Sequence, residues 1–251
     1  MGWSGSHRPW PVPDRPWVIR MRWRELLFAH WPVDPARLRP HIPIRLELDT
    51  RDGQAWLGVV PFLMDIRPRM TPPVPPRWTR FLELNLRTYV TCEGKPGVWF
   101  FSLDAQRRLA VRIARRIFHL PYFDARMSIE RDADAITFSS RRTHHGAPPA
   151  RFEARYHPLG PAAPATPGSL DHFLTERYCL YAGDDRGRLW RGEIDHGPWP
   201  LQPAAWQVRE LDMTRLIDVP LVGEPRLHYV RSIDVRAWTN RQVAGCQTQR
   251  R

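Results

Sequence analysis

One stretch of the sequence sets four chemically different polar side chains in register: Leu82-Glu83-Leu84-Asn85-Leu86-Arg87-Thr88-Tyr89-Val90. Side chains alternate along a strand, so Leu82, Leu84, Leu86 and Val90 share one face. Glu83, Asn85, Arg87 and Tyr89 share the other. That second face carries an acid, an amide, a cation and a phenol. Turned to water, it is an ordinary polar surface. Turned into a barrel, it lines a cavity, as converging polar groups do in small-ligand sites. Alternation alone leaves both readings open.

Other constellations carry less. Ser102 and Asp104 lie near a strand end, but Phe101-Ser102-Leu103 lacks the sharp Gly-x-Ser-x-Gly turn of a serine nucleophile. His144-His145 is the only adjacent histidine pair, and strand neighbours point to opposite faces. No zinc-type spacing and no His-Glu-x-x-His occurs, so no metal is expected. No Gly-rich phosphate loop occurs, so no cofactor is expected either. His196, in His196-Gly197-Pro198-Trp199, reads as a turn or lid residue.

The chain has 251 residues with 42% hydrophobic and 25% charged side chains, which suits a folded domain. No apolar run approaches the roughly 18 residues of a membrane span. Cys92, Cys179 and Cys246 are too few for a disulfide framework, and the chain reads as cytoplasmic. The net charge is +12, and every basic residue except Lys95 is arginine. Such a charge invites a nucleic-acid reading. The arginines are spread along the chain, however, as a composition bias would leave them.

These residues need elements to hold them. Residues 1–20 alternate proline with tryptophan and read as an extended arm. Residues 21–239 form a single domain, and 240–251 a tail. Asp34 caps a short helix from Pro35 to Leu38. Strands are expected at 46–48, 55–62, 82–90 and 98–103, the last two a hairpin around Lys95. Residues 68–77 are a Pro-rich loop. Arg107 to Phe118 is a helix with Arg108, Arg112, Arg115 and Arg116 on one face. Strands follow at 135–140, 152–157 and 189–194, a helix from Ser169 to about Leu180, and a long strand at 226–238. Arg177 lies late in that second helix and reaches either the cavity or only the helix C-terminus. The class is α+β around a curved antiparallel sheet.

Five ordered motifs run through this frame: Arg24-Glu25-Leu26-Leu27-Phe28-Ala29-His30-Trp31-Pro32-Val33-Asp34, Glu83–Val90, Gly97–Ala105, Leu120-Pro121-Tyr122 and Leu174-Thr175-Glu176-Arg177-Tyr178. Together they resemble the YqjF-like family of uncharacterised bacterial proteins, a branch of the acetoacetate decarboxylase-like superfamily. The resemblance implies a cone-shaped antiparallel β-barrel flanked by a few helices, with a ligand pocket inside. The decarboxylase works through a lysine whose pKa is held down by its surroundings. Its lysine pair corresponds to Tyr122 and Phe123, so Schiff-base chemistry is not expected. An arginine for the substrate carboxylate corresponds to Arg24, an active-site glutamate to Glu83, and a helix arginine to Arg115. A second acid falls on Gly58 and is lost.

The expected function is therefore a pocket that binds or converts a small organic acid. Glu83 and Tyr122 are the candidate catalytic pair, with Glu83 as base. Arg24, Asn85, Arg87, Tyr89, Arg115 and Arg177 are the candidate ligand-binding residues. Two alternatives stand beside it. One is nucleic-acid binding through the arginine-faced helix and the basic arm. The other is a non-catalytic assembly role for the tryptophans and the arm, which leaves a homo-oligomer open.

Overall fold

The computed structural model describes residues 7–70, 75, 79–107 and 118–244. Thirteen strands make one continuous sheet: β1 (Ile19–Val33), β2 (Glu47–Leu48), β3 (Ala55–Pro68), β4 (Arg80–Cys92), β5 (Lys95–Ala105), β6 (Tyr122–Asp132), β7 (Ala135–Arg142), β8 (Arg151–Pro158), β9 (Cys179–Gly183), β10 (Leu189–His196), β11 (Gln202–Leu211), β12 (Arg226–Ala237) and β13 (Arg241–Val243). Nine of them close into a barrel in the order β5-β6-β7-β8-β11-β12-β1-β3-β4, with β4 returning to β5. The pairings β5–β9 and β10–β12 close a second, smaller ring that shares β1, β3, β4, β5 and β12 with the first. Neighbours are antiparallel except β5–β6 and β5–β9, which are parallel.

The two rings divide the side chains of the shared strands. Leu82, Leu84, Leu86 and Val90 enter the large hydrophobic core of the nine-strand barrel, with Leu57, Val59, Phe138, Phe152 and Tyr156. Phe81 on the opposite row joins a second core with Phe62, Met64, Leu103 and Trp199. The alternation read from the sequence thus separates two interiors rather than an interior and a solvent face.

β1 departs from simple alternation. Ile19, Met21 and Trp23 line the same cavity as Leu26, although the spacing has changed parity. The register against β3 slips by one residue between Arg24 and Ala29. Glu25 lies within that slip in the left-handed region, at φ 51°. A β-bulge of this kind adds one residue and reverses which face later side chains take. The bulge is tied down on three sides. The Glu25 carboxylate accepts from Arg131 and from the Tyr229 hydroxyl, and the Tyr156 hydroxyl donates to the Glu25 carbonyl at 2.7 Å.

The short helix α1 (Pro35–Leu38) has the expected cap, with Asp34 accepting from the Ala36 amide at 2.9 Å. Helix α2 (Leu170–Thr175) starts at the Ser169 cap but stops five residues short of Leu180. Cys179 and Leu180 pair instead with Glu193, Gly192 and Val98, so strand pairing overrides the local helical pattern. The expected tail contains β13, which pairs with β10. In the N-terminal segment, the buried Arg8 donates to the Ile194 carbonyl at 2.5 Å and meets Asp195 at 3.2 Å. The Trp10 indole donates to Glu193 at 2.9 Å. The helix expected from Arg107 to Phe118, with Arg115 on it, lies almost wholly outside the described residues, as does most of the 68–77 loop. No helix among the described residues is long and apolar enough to cross a membrane.

Candidate functional site

The polar row of β4 faces the second ring. Glu83, Asn85 and Arg87 line a cavity of about 140 Å³ there, with Trp23, Phe62, Leu103, Tyr122, Arg177 and Trp199. Tyr89 lies one step further along the row, fully buried against Trp56, Val98 and Leu174, and closes that end.

Glu83 is 1% exposed. The Tyr122 hydroxyl donates to its Oε2 at 3.1 Å, and Asn85 also bonds the carboxyl. Burial outweighs both bonds and pushes the Glu83 pKa up to about 8. Burial thus favours the protonated form, in which the group is a donor; the role expected from the sequence is that of base. Burial and the neighbouring Glu83 raise the Tyr122 phenol well above its usual value. Of the neighbours Tyr122 and Phe123, Tyr122 alone lines this cavity. Phe123 packs instead against the Arg142 guanidinium at 4.3 Å.

Arg87 is 7% exposed. Its Nη2 donates to the Tyr89 hydroxyl at 3.2 Å and to the Leu174 carbonyl at 3.3 Å, and its guanidinium lies 5.0 Å from the Phe28 ring. No carboxylate pairs with it among the described residues, and its Nε has no partner there. A buried cation without a counter-anion is costly, so this is the point where an anion gains most. The Tyr89 hydroxyl stands 2.6 Å from both the Leu174 carbonyl and His30 Nε2, which fixes the base of Arg87. Burial, followed by Arg87, lowers the His30 pKa well below the usual imidazole value.

The early end of α2 settles the position of Arg177. Its Nε caps the helix by donating to the Phe173 carbonyl at 2.7 Å, and its Nη1 pairs with Asp49 at 2.5 Å. Its guanidinium stacks over Phe173 and Tyr89 at 4.3 and 4.7 Å, while Nη2 has no partner among the described residues. It thus reaches both the helix end and the cavity.

Arg24 is not brought to this cavity. Before the Glu25 bulge, even-numbered residues of β1 face outward. Arg24 therefore pairs with Asp65 in an outer groove beside Arg22 and Arg80. His196 is not a lid. It is fully buried between Tyr178 and Trp199, with Nε2 3.2 Å from the Arg177 carbonyl. Lys95 is partly buried and pairs with Glu193 at 3.4 Å. Asp104, near the strand end, is fully buried and pairs with Arg142 at 2.7 Å.

Gly58, which the resemblance sets opposite a second acid, is tightly packed. A Cβ there would meet the His30 ring at 3.0 Å and the Arg87 stem at 3.3 Å. His30 and Trp199 were not assigned from sequence. Both depend on chain geometry, the bulge in one case and the 197–201 loop in the other, which leaves no periodic signal. Among the described residues no group of three or more His, Cys, Asp or Glu is placed to hold a metal ion.

A family of uncharacterized conserved proteins, DUF2071, matches residues 20–234. The chain belongs to that family. It is 46% identical over 233 residues to the uncharacterized protein YqjF of Bacillus subtilis (strain 168), covering 92% of this chain and 95% of that one. Solved structures share its fold at low identity. The enduracididine biosynthesis enzyme MppR, complexed with pyruvate, matches with a TM-score of 0.66 at 15% identity, over 92% of each chain. An acetoacetate decarboxylase-like enzyme from Sphingomonas wittichii RW1 matches with 0.62 at 13% identity, over 95% of this chain and 99% of that one. The DUF2071 chain is therefore an acetoacetate decarboxylase-like barrel.

Proposed function

We propose that the cavity of the second ring binds a small organic acid, with the carboxylate held by Arg87 and Arg177. The observation that carries this reading is Arg87, a buried guanidinium on the cavity wall with no carboxylate partner among the described residues. Arginine can meet a carboxylate through two parallel hydrogen bonds. If the acid is converted, the chemistry is proton transfer rather than imine formation. The residue at the lysine position that faces the cavity is Tyr122, and the one lysine is engaged with Glu193. The protonated Glu83, backed by Tyr122, then serves as the donor to a ligand oxygen. The enzymes of the same fold support this placement by analogy of fold alone. The buried thiol of Cys179 suits a cytoplasmic placement. The nucleic-acid alternative rests on the basic arm and on a helix face outside the described residues; Arg8 of the arm is buried against Asp195.

A thermal-shift screen against small carboxylic acids tests this on wild type, Arg87→Gln and Arg24→Ala. A ligand at about a hundred times its Kd stabilises by roughly 2.7 kcal/mol, which raises Tm by several degrees at this size. The shift is expected in wild type and in Arg24→Ala, and absent in a folded Arg87→Gln. A shift that survives Arg87→Gln but vanishes in Arg24→Ala moves the anion to the outer groove and overturns the proposal. So does the absence of any shift.

A further inference from the structure

The proposed acid site fills only one end of the cavity. Past Arg87, most of the wall is apolar, formed by Val60, Phe62, Phe100, Leu103 and Trp199, with Glu83, Asn85 and Tyr122 as its polar members. A carboxylate alone leaves that wall without a partner. The space is about 140 Å³. An engineered cavity of about 150 Å³ with a similar apolar lining takes up benzene. Polar and apolar ends also meet without a break: the Phe28 ring that underlies the Arg87 guanidinium at 5.0 Å packs edge-on against Trp199 at 4.9 Å.

We infer that the ligand is an amphipathic acid with one ring, or a branched apolar body of that size, whose carboxylate meets Arg87 and whose body lies against Val60, Leu103 and Trp199. The inference rests on the acid reading of the same site and adds the class of acid. Each buried methylene group is worth roughly a fourfold gain in affinity, so three or more separate a ring-bearing acid from acetate by well over tenfold. The same wall sets an upper limit. Two fused rings exceed the space and must displace packed side chains, which a close-packed interior resists.

Calorimetric titration of the full chain with acetate, phenylacetate, 1-naphthylacetate and phenylacetamide tests the class directly. Phenylacetate is expected to bind at least about thirtyfold more tightly than acetate, and more tightly than naphthylacetate. Leu103→Trp, which fills the apolar wall, is expected to remove most of the phenylacetate advantage while acetate binding persists. Equal affinity for acetate and phenylacetate overturns the inference and leaves the acid site standing. Phenylacetamide binding as tightly as phenylacetate, or no binding by any of the four, overturns the acid reading beneath it.

Discussion

Arg24 and Leu26 stand two residues apart on one strand and face opposite sides of the sheet. Leu26 lines the cavity, while Arg24 pairs with Asp65 in the outer groove. The left-handed Glu25 between them adds the residue that reverses the alternation. Arg24, expected from the resemblance to meet a substrate carboxylate, thus lies in the outer groove, and the arginine of β4 that lines the cavity is Arg87.

The bulge depends on the bonds that Glu25 makes. Tyr229→Phe removes one donor to a buried carboxylate, and Glu25→Ala leaves Tyr229 and Arg131 without their acceptor. Each change is expected to cost about 1–3 kcal/mol, measured by urea unfolding. Equal stability of both variants and wild type would show that the bulge holds without its anchor.

Gly58→Ala is a test of crowding at the base of the site. The new methyl would press the His30 ring and the Arg87 stem, at 3.0 and 3.3 Å. Overpacking of this kind costs about 1–3 kcal/mol. Acid binding is expected to weaken because the guanidinium is displaced. An unfolding titration and an acid titration on the same variant check both effects, and unchanged affinity would mean that Arg87 does not hold the anion.

Glu83 gives the fold a pH dependence of defined sign. Its pKa rises from the usual carboxylate value to about 8 on folding, so the folded chain holds a proton that the unfolded chain releases. That stabilisation is complete below about pH 4.5 and is lost as the pH rises through about 8, at up to about 1.4 kcal/mol per pH unit. His30 and His196, whose pKa values are lowered by burial, act in the opposite sense below about pH 6.5. The clean window is therefore pH 6.5 to 8. Wild-type stability is expected to fall across it relative to Glu83→Gln. Parallel pH profiles would mean that Glu83 is ionised in the folded chain.

The legible parts of the fold are those with strong local signals. The β4–β5 hairpin followed from two alternating runs around a Gly/Pro turn, and α1 from Asp34-Pro35. The row of Glu83, Asn85, Arg87 and Tyr89 was visible for the same reason. Hidden parts depend on distant partners. The Glu25 bulge is set by Tyr229, Tyr156 and Arg131, none of them near in sequence. The end of α2 is set by the pairing of Cys179 and Leu180 with strands on either side. β1, β6 and β11 were not recognised as strands. None of the ten residues of β11 is buried and five are exposed, Arg209 and Glu210 among them, so it carries no buried alternation.

The central claim is that a carboxylate sits on Arg87 inside the second ring. The most direct measurement is anomalous diffraction from a crystal soaked with 4-bromobenzoate. The account predicts a bromine peak against the Val60, Leu103 and Trp199 wall, with the carboxylate at hydrogen-bond distance from the Arg87 Nε. A peak only in the outer groove at Arg22 and Arg80, with none in the cavity, would contradict it.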